Sequence, residues 1–372
     1  MNNDVCILTF HNVLNYGALL QAFALQYKIN SLGYNAEFIN YINKNMLADY
    51  KILSKNKSFY KNIRSLGKFL IYGNLIIKKK RNNNDFINRN FKLTRKYYSL
   101  DELKQKPPIA CAYICGSDQI WNKNVTKIND ATYFLNFGDK SIKKISYAAS
   151  TGSIENIEKD KDFFKDNVNN IDFVSVREND AAEKLKRITN RDIKTNLDPT
   201  LLLTKDEWDK YIDDDNCFGD YILNYIVSND DEERKIVEYI SIKENLKVID
   251  FDMKKNNHNS NYFHMPEASP LEFIKLIKNA KYVVTTSFHA TVFSIIFNKK
   301  FIVVPHKKTG MRVRNLLTDL KLNDRIVYEL EDLSDIYLDE IKYDEVNKLL
   351  EKKRNESIKW LDYALKKEKE DE

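Results

Sequence analysis

DVCILTFHNVLNYGALLQAFALQYKINSLGYNAEFINY, residues 4–41, is the stretch whose reading decides the fold. Residues 4–10 are almost all apolar, the pattern of a strand buried on both faces. Residues 11–18 form a polar turn with Asn12, Asn15 and Gly17. Residues 19–32 carry apolar side chains at helical spacing, and Gly33 stands where a left-handed residue ends a helix. A second apolar run follows at 35–41. Strand, helix, strand in so short a span is a βαβ unit, which requires a parallel sheet.

The alternation continues outward from this unit. Strands are expected at 110–115, 144–150 and 173–176, and helices at 160–169 and 179–188. Near 201–208 the chain changes domain. A second series follows: strand 221–227, helix 232–243, strand 246–251, helix 269–278, strand 282–286, helix 290–297, strand 301–305 and helix 313–320. Ser269 as N-cap and Pro270 at the first helical position mark one of these starts. A long charged helix covers 346–368. The fold class is therefore α/β, with two domains facing across a cleft. The N-terminal domain spans 1–195 and carries a basic helical insertion at about 44–106. The C-terminal domain spans 196–344, and residues 345–372 form the terminal helix.

The chain has 372 residues and a net charge of +6. Residues 44–106 alone contribute 17 Lys/Arg against 4 Asp/Glu, a net of +13 that leaves −7 for the remainder. Such asymmetry excludes a uniformly basic nucleic-acid binder. Four cysteines (Cys6, Cys111, Cys115, Cys217) are too few for a disulfide framework and lack zinc-site spacing. Reduced thiols in a cytoplasm fit them. The N-terminus shows no secretory pattern, and no apolar run reaches the length of a membrane span. No metal or redox cofactor is expected.

Glycine-rich nucleotide signatures are absent, so an anion must be held by helix N-termini and basic side chains. Thr286-Ser287-Phe288-His289-Ala290 lies between an apolar strand and an apolar helix. Ser287 and His289 thus stand at a helix start, where unpaired N–H groups favour an anion and histidine can move a proton. His306-Lys307-Lys308 and Arg312, Arg314 follow the next strand. Arg177 ends the strand 173–176, a suitable place for gripping a carboxylate or phosphate or for pairing with its neighbour Glu178. In the first domain two amide-rich loops, His11-Asn12-Val13-Leu14-Asn15-Tyr16-Gly17 and Gly116-Ser117-Asp118-Gln119, suit sugar hydroxyls. Asp118 is a candidate base or an N-cap.

These motifs occur in one order with Ser146-Tyr147-Ala148-Ala149-Ser150 and Leu197-Asp198-Pro199-Thr200-Leu201-Leu202. The set resembles the polysaccharide pyruvyl transferase family over about residues 4–330. The resemblance implies two Rossmann-like halves in a GT-B-like arrangement. It also implies transfer of a pyruvyl group from phosphoenolpyruvate to sugar hydroxyls, with formation of a ketal. By position, His289 and Arg177 are catalytic, His289 as the acid or phosphate ligand, and both bind the donor with Ser287, Phe288, Lys307, Lys308 and Arg314. His11, Asn12, Asn15, Tyr16, Gly17, Gly116, Ser117, Asp118 and Gln119 fall on the acceptor side. Some members have Arg-Leu-His where this chain has Ser287-Phe288-His289. Lys307, Lys308 or Arg314 must then supply the missing cation.

Two other readings compete: a nucleotide-sugar glycosyltransferase of the same architecture, and a non-catalytic glycan- or membrane-binding module built on the basic segment. The acceptor implied is a glycan or lipid-linked oligosaccharide. The basic segment is suited to anionic lipid at the inner membrane face, at about 1 kcal/mol per Lys or Arg near the surface. Co-sedimentation with anionic vesicles should therefore be strong at low salt and lost at high salt. Absence of binding at low salt contradicts the membrane contact.

Overall fold

A computed structural model describes residues 3–47, 59–213, 215–226, 231–251, 261–305, 310–333 and 339–367, without the side chains of 47, 59–71 and 231. The chain forms two compact units. The first comprises Met1–Lys51, Ile87–Leu203 and Glu351–Glu372, and the second Ile52–Phe86 and Thr204–Leu350.

The first unit holds β1 (Asp4–Leu8), β2 (Asn35–Tyr41), β3 (Leu93–Tyr97), β4 (Ala112–Gly116), β5 (Lys143–Ala149), β6 (Phe173–Val176) and β7 (Lys194–Thr195). All pairings are parallel, in the order β3-β2-β1-β4-β5-β6-β7. Val5, Cys6, Ile7 and Leu8 are fully buried, as a central strand covered on both faces requires. The helix after β1 runs Tyr16–Ser31, three residues longer at its start than the apolar periodicity predicts. The reason is Asn15, whose side chain accepts from Ala18 N and caps the helix there. Gly33 takes φ +92°, the left-handed exit expected of it.

The basic segment differs from a purely helical insertion. One helix, Phe59–Asn90, is followed by β3, which extends the sheet at its edge. Arg95 and Lys96 are exposed on β3 while Tyr97 is buried. Cations on an edge strand discourage pairing with another chain. Part of the positive charge is thus a property of the sheet edge.

The second unit holds β8 (Tyr221–Tyr225), β9 (Lys247–Asp250), β10 (Tyr262–His264), β11 (Tyr282–Thr285) and β12 (Lys300–Val303). Its parallel order is β10-β9-β8-β11-β12. Ile222, Val248, Val284 and Ile302 pack with Ile236, Val237 and Ile240 of the helix Asp231–Glu244. The helix Pro270–Asn279 begins in a full capping box between Ser269 and Glu272. The three-residue β10 lies between the expected strand 246–251 and helix 269–278, where no strand is expected from sequence.

The units divide after Leu203, eight residues beyond the expected boundary. The short turn Pro199–Leu202 is buried, so the chain leaves the first unit only after it. The terminal helix, Tyr343–Lys366, is likewise not a separate body, because its residues from Glu351 belong to the first unit.

In each sheet the winding reverses direction once, between β1 and β4 and between β8 and β11. Ligands of such sheets bind beyond the strand carboxyl ends at these switch points. His11–Asn15 follow β1, Ser117–Gln119 follow β4, and Thr286–His289 follow β11. Gly116 ends β4 where a Cβ would stand 2.7 Å from the Tyr147 carbonyl oxygen. Gly116→Ala should therefore cost about 1–3 kcal/mol by overpacking. Thermal or urea unfolding checks this, and unchanged stability contradicts the close approach.

Candidate active site

At the carboxyl edge of the first sheet the motifs meet in one buried polar network. Its centre is Arg177, directly after β6 and 9% exposed. Nη1 donates to Asp198 Oδ2 at 2.8 Å, and Nε donates to Glu178 Oε1 at 3.3 Å. Burial works against the charge, but the carboxylates of Glu178, Asp198 and Asp118 outweigh it and raise the guanidinium above its ordinary pKa. Asp198 is also buried. Its Oδ2 accepts from Ser117 Oγ at 3.1 Å, and its Oδ1 accepts from Thr200 N and Oγ1 at 3.0 and 2.6 Å. Ser150 Oγ donates to Glu178 Oε1 at 2.5 Å. One carboxylate thus joins the loop after β4 to the loop after β6.

The Ser146–Ser150 motif supplies the local geometry. The β5–β6 register shifts between Ser146 and Ala149, and Ala148 takes φ 47°. A left-handed alanine is uncommon. Here its N–H is held by Ser175 Oγ at 3.0 Å. The bulge brings the Ala149 carbonyl to Arg177 N at 3.1 Å. Asp118 is also left-handed, φ 63°, with its Oδ1 accepting from Gln119 N. Gln119 Oε1 accepts from Asn122 Nδ2 at 2.8 Å. Trp121, two residues after Gln119, is a core residue stacked on Phe134.

The loop after β1 divides in role. His11 is buried, with Nδ1 3.1 Å from Thr9 O and Nε2 3.3 Å from the Asn40 side chain. Burial lowers its pKa, so the ring is neutral. Both contacts are to oxygens, Thr9 O and Asn40 Oδ1, and the tautomer sets which nitrogen donates. Both nitrogens are committed, and His11 orders the loop. Tyr16 and Gly17 are buried in the first helical turn, and Asn15 is the cap. Asn12 is exposed at a shallow depression lined also by Phe10, His11, Tyr41, Asn43 and Tyr133. Tyr41 Oη and Asn43 Nδ2 share Asp130 Oδ2 at 2.8 and 3.1 Å.

In the second unit the helix Phe288–Ile296 starts where β11 ends, at the switch point. Ser287 is its N-cap, and Thr285 Oγ1 accepts from Ser287 N at 3.0 Å. His289 is in the first turn, 8% exposed, with its ring perpendicular to Phe288 at 5.2 Å. The Arg312 guanidinium lies over the Phe288 ring at 5.8 Å, whereas Arg314 lies over Tyr328 at 5.4 Å. Residues two apart on a helix point about 200° apart. The arginine beside Ser287-Phe288-His289 is therefore Arg312, and the expected Arg314 faces Tyr328. Lys307 and Lys308 lie outside the described residues.

Sequence reading also missed a dyad. His264 Nδ1 is 2.6 Å from Asp250 Oδ1, at the ends of β10 and β9. Its only signal was an aspartate closing an apolar run. Among the described residues, no three His, Cys, Asp or Glu side chains are arranged to hold a metal ion. Removing one partner of a buried ion pair strands the other charge and costs about 3–5 kcal/mol. Asp198→Ala should lower stability by that amount in unfolding experiments. A loss under about 1 kcal/mol, the range of an exposed pair, contradicts the network.

Comparison with known proteins bears on the fold and the family. Solved structures share the fold across nearly the whole chain. A candidate UDP-N-acetylglucosamine 2-epimerase from Listeria monocytogenes aligns with TM-score 0.54 at 9% identity, covering 94% of this chain and 91% of that one. UGT89C1 of Arabidopsis thaliana, complexed with UDP-L-rhamnose, aligns with TM-score 0.52 at 12% identity, covering 98% and 99%. UDP-GlcNAc 2-epimerase from Neisseria meningitidis, bound to UDP-GlcNAc, aligns with TM-score 0.50 at 10% identity, covering 98% and 97%. At such identities the likeness concerns the fold, which is GT-B-like. No curated protein sequence matches. The polysaccharide pyruvyl transferase family model matches residues 15–308, most of the chain and nearly all the motif loops described above. The chain belongs to the polysaccharide pyruvyl transferase family.

Proposed function

We propose that the protein moves the pyruvyl group of phosphoenolpyruvate onto two hydroxyls of a sugar, closing a pyruvate ketal and releasing phosphate. Family membership supports pyruvyl transfer onto a polysaccharide. The observation that carries the donor assignment is the Ser287-capped helix start with His289 in its first turn and Arg312 alongside. Phosphoenolpyruvate has a phosphate and a carboxylate, and a helix N-terminus with adjacent basic groups matches such an anion.

The reaction needs three events. A proton is delivered to the methylene carbon, one sugar hydroxyl adds to C2, and the second hydroxyl displaces phosphate. The imidazole of His289 is the proposed proton donor to carbon. N–H groups of the helix start and Arg312 stabilise the charge of the departing phosphate. Lys307 and Lys308 remain proposed donor contacts. Arg177, bound to Asp198 and Glu178, is proposed to act mainly by fixing the loops at its edge. The acceptor sugar is assigned to the first unit, at the Asn12 depression and the Ser117–Gln119 loop. The proposal requires no redox cofactor or metal.

Among the described residues, no helix is long and apolar enough to cross a membrane. We place the enzyme in the cytoplasm, with its acceptor a surface polysaccharide or lipid-linked precursor. The cations of residues 44–106 would contact the inner membrane face. The GT-B-like likeness favours one alternative, a nucleotide-sugar glycosyltransferase. Ligand stabilisation separates the two: phosphoenolpyruvate should raise the melting temperature and UDP should not. His289→Ala should abolish phosphate release from phosphoenolpyruvate in the presence of acceptor. Stabilisation by UDP alone overturns the proposal.

A further inference from the structure

The Arg177 network does not end at the family motifs. The turn that carries Asp198 is held from outside by the terminal helix Tyr343–Lys366, which lies beyond the matched residues 15–308. Leu197 N donates to Ser357 Oγ at 3.1 Å, one residue before Asp198. Arg354 Nε donates to Leu201 O at 2.8 Å, three residues after it. Tyr147 of β5 donates from its hydroxyl to Leu197 O at 3.2 Å, and the Trp360 ring lies 6.2 Å from the Tyr147 ring. Further along, Lys143 Nζ donates to Leu365 O at 2.5 Å. Ser357 is 3% exposed and Asp198 is 1% exposed, whereas Arg354 is half-buried.

We propose that the terminal helix is a positioning element of the Arg177 centre, clamping both ends of the Leu197–Leu201 turn so that Asp198 bridges Ser117 and Arg177. The turn, Leu-Asp-Pro-Thr-Leu, is short and lies beyond the ladder hydrogen bonds of β7. Left unclamped, it can rotate its carboxylate by an ångström or more, and small misplacements near a reacting centre carry large rate penalties. Ser357 and Arg354 are therefore positioning residues that act through Asp198. The catalytic consequence rests on the proposed pyruvyl transfer, whereas the clamp itself does not.

The test uses the full chain with Arg354→Ala, Ser357→Ala and the double substitution. Lys352→Ala, on the exposed face of the same helix, is the control. Hydrogen–deuterium exchange should quicken together in the terminal helix, in residues 197–203 and in residues 174–178, where Arg177 N is bonded to Ala149 O. Residues 204–342 of the second unit should not change. Exchange that rises only within residues 343–366, or evenly throughout the first unit, overturns the clamp. Kinetically, the double variant should lose about tenfold in kcat with the KM for phosphoenolpyruvate within about twofold. Unchanged kcat below the melting transition reduces the helix to a stabilising role and also overturns the proposal. A wild-type chain that releases no phosphate from phosphoenolpyruvate refutes the assigned reaction instead, and the exchange pattern still decides the clamp.

Discussion

The first unit depends on one buried carboxylate. Asp198 accepts from Arg177, Ser117 and Thr200, and so ties together segments 81 residues apart in sequence. All four groups are buried. A buried guanidinium without its carboxylates would carry a desolvation penalty larger than most single packing defects. The bulge in β5, the left-handed Ala148 and Asp118, and the glycine at position 116 are arranged around this ion pair. They are locally unfavourable, and the hydrogen bonds of the network hold the chain in such conformations.

The network also explains why family motifs that look unrelated in sequence occur together. Gly116 and Ser117, Ser146 to Ser150, Arg177 and Glu178, and Asp198 to Thr200 are consecutive strand ends of one parallel sheet. In the second unit the corresponding position holds a capped helix start, with His289 and Arg312 rather than paired carboxylates. The first edge is thus neutralised internally, and the second presents donors to an anion. That division of charge is what the proposed acceptor and donor roles require.

Much of this was legible in the sequence because parallel strands buried on both faces read as continuous apolar runs. Both βα series, Gly33, and the Ser269 and Pro270 start were read in that way. Short elements were not, since the three residues of β10 and the edge strand β3 lie within polar or cationic stretches whose composition masks their pairing. The site was legible as positions but not as partners. Arg177 was seen as a strand-end cation, and Glu178 as its neighbour. Asp198, 21 residues away, could not be assigned to it without the fold. The choice between Arg312 and Arg314 likewise depends on helix phase, which a start uncertain by one residue leaves open.

The measurement that bears most directly on the central claim is a structure determined with phosphoenolpyruvate bound. The account predicts the phosphate against the N–H groups at the start of the helix Phe288–Ile296, with His289 and Arg312 in contact. Phosphoenolpyruvate seated on Arg177 with Asp198 displaced, or bound away from that helix start, would contradict it.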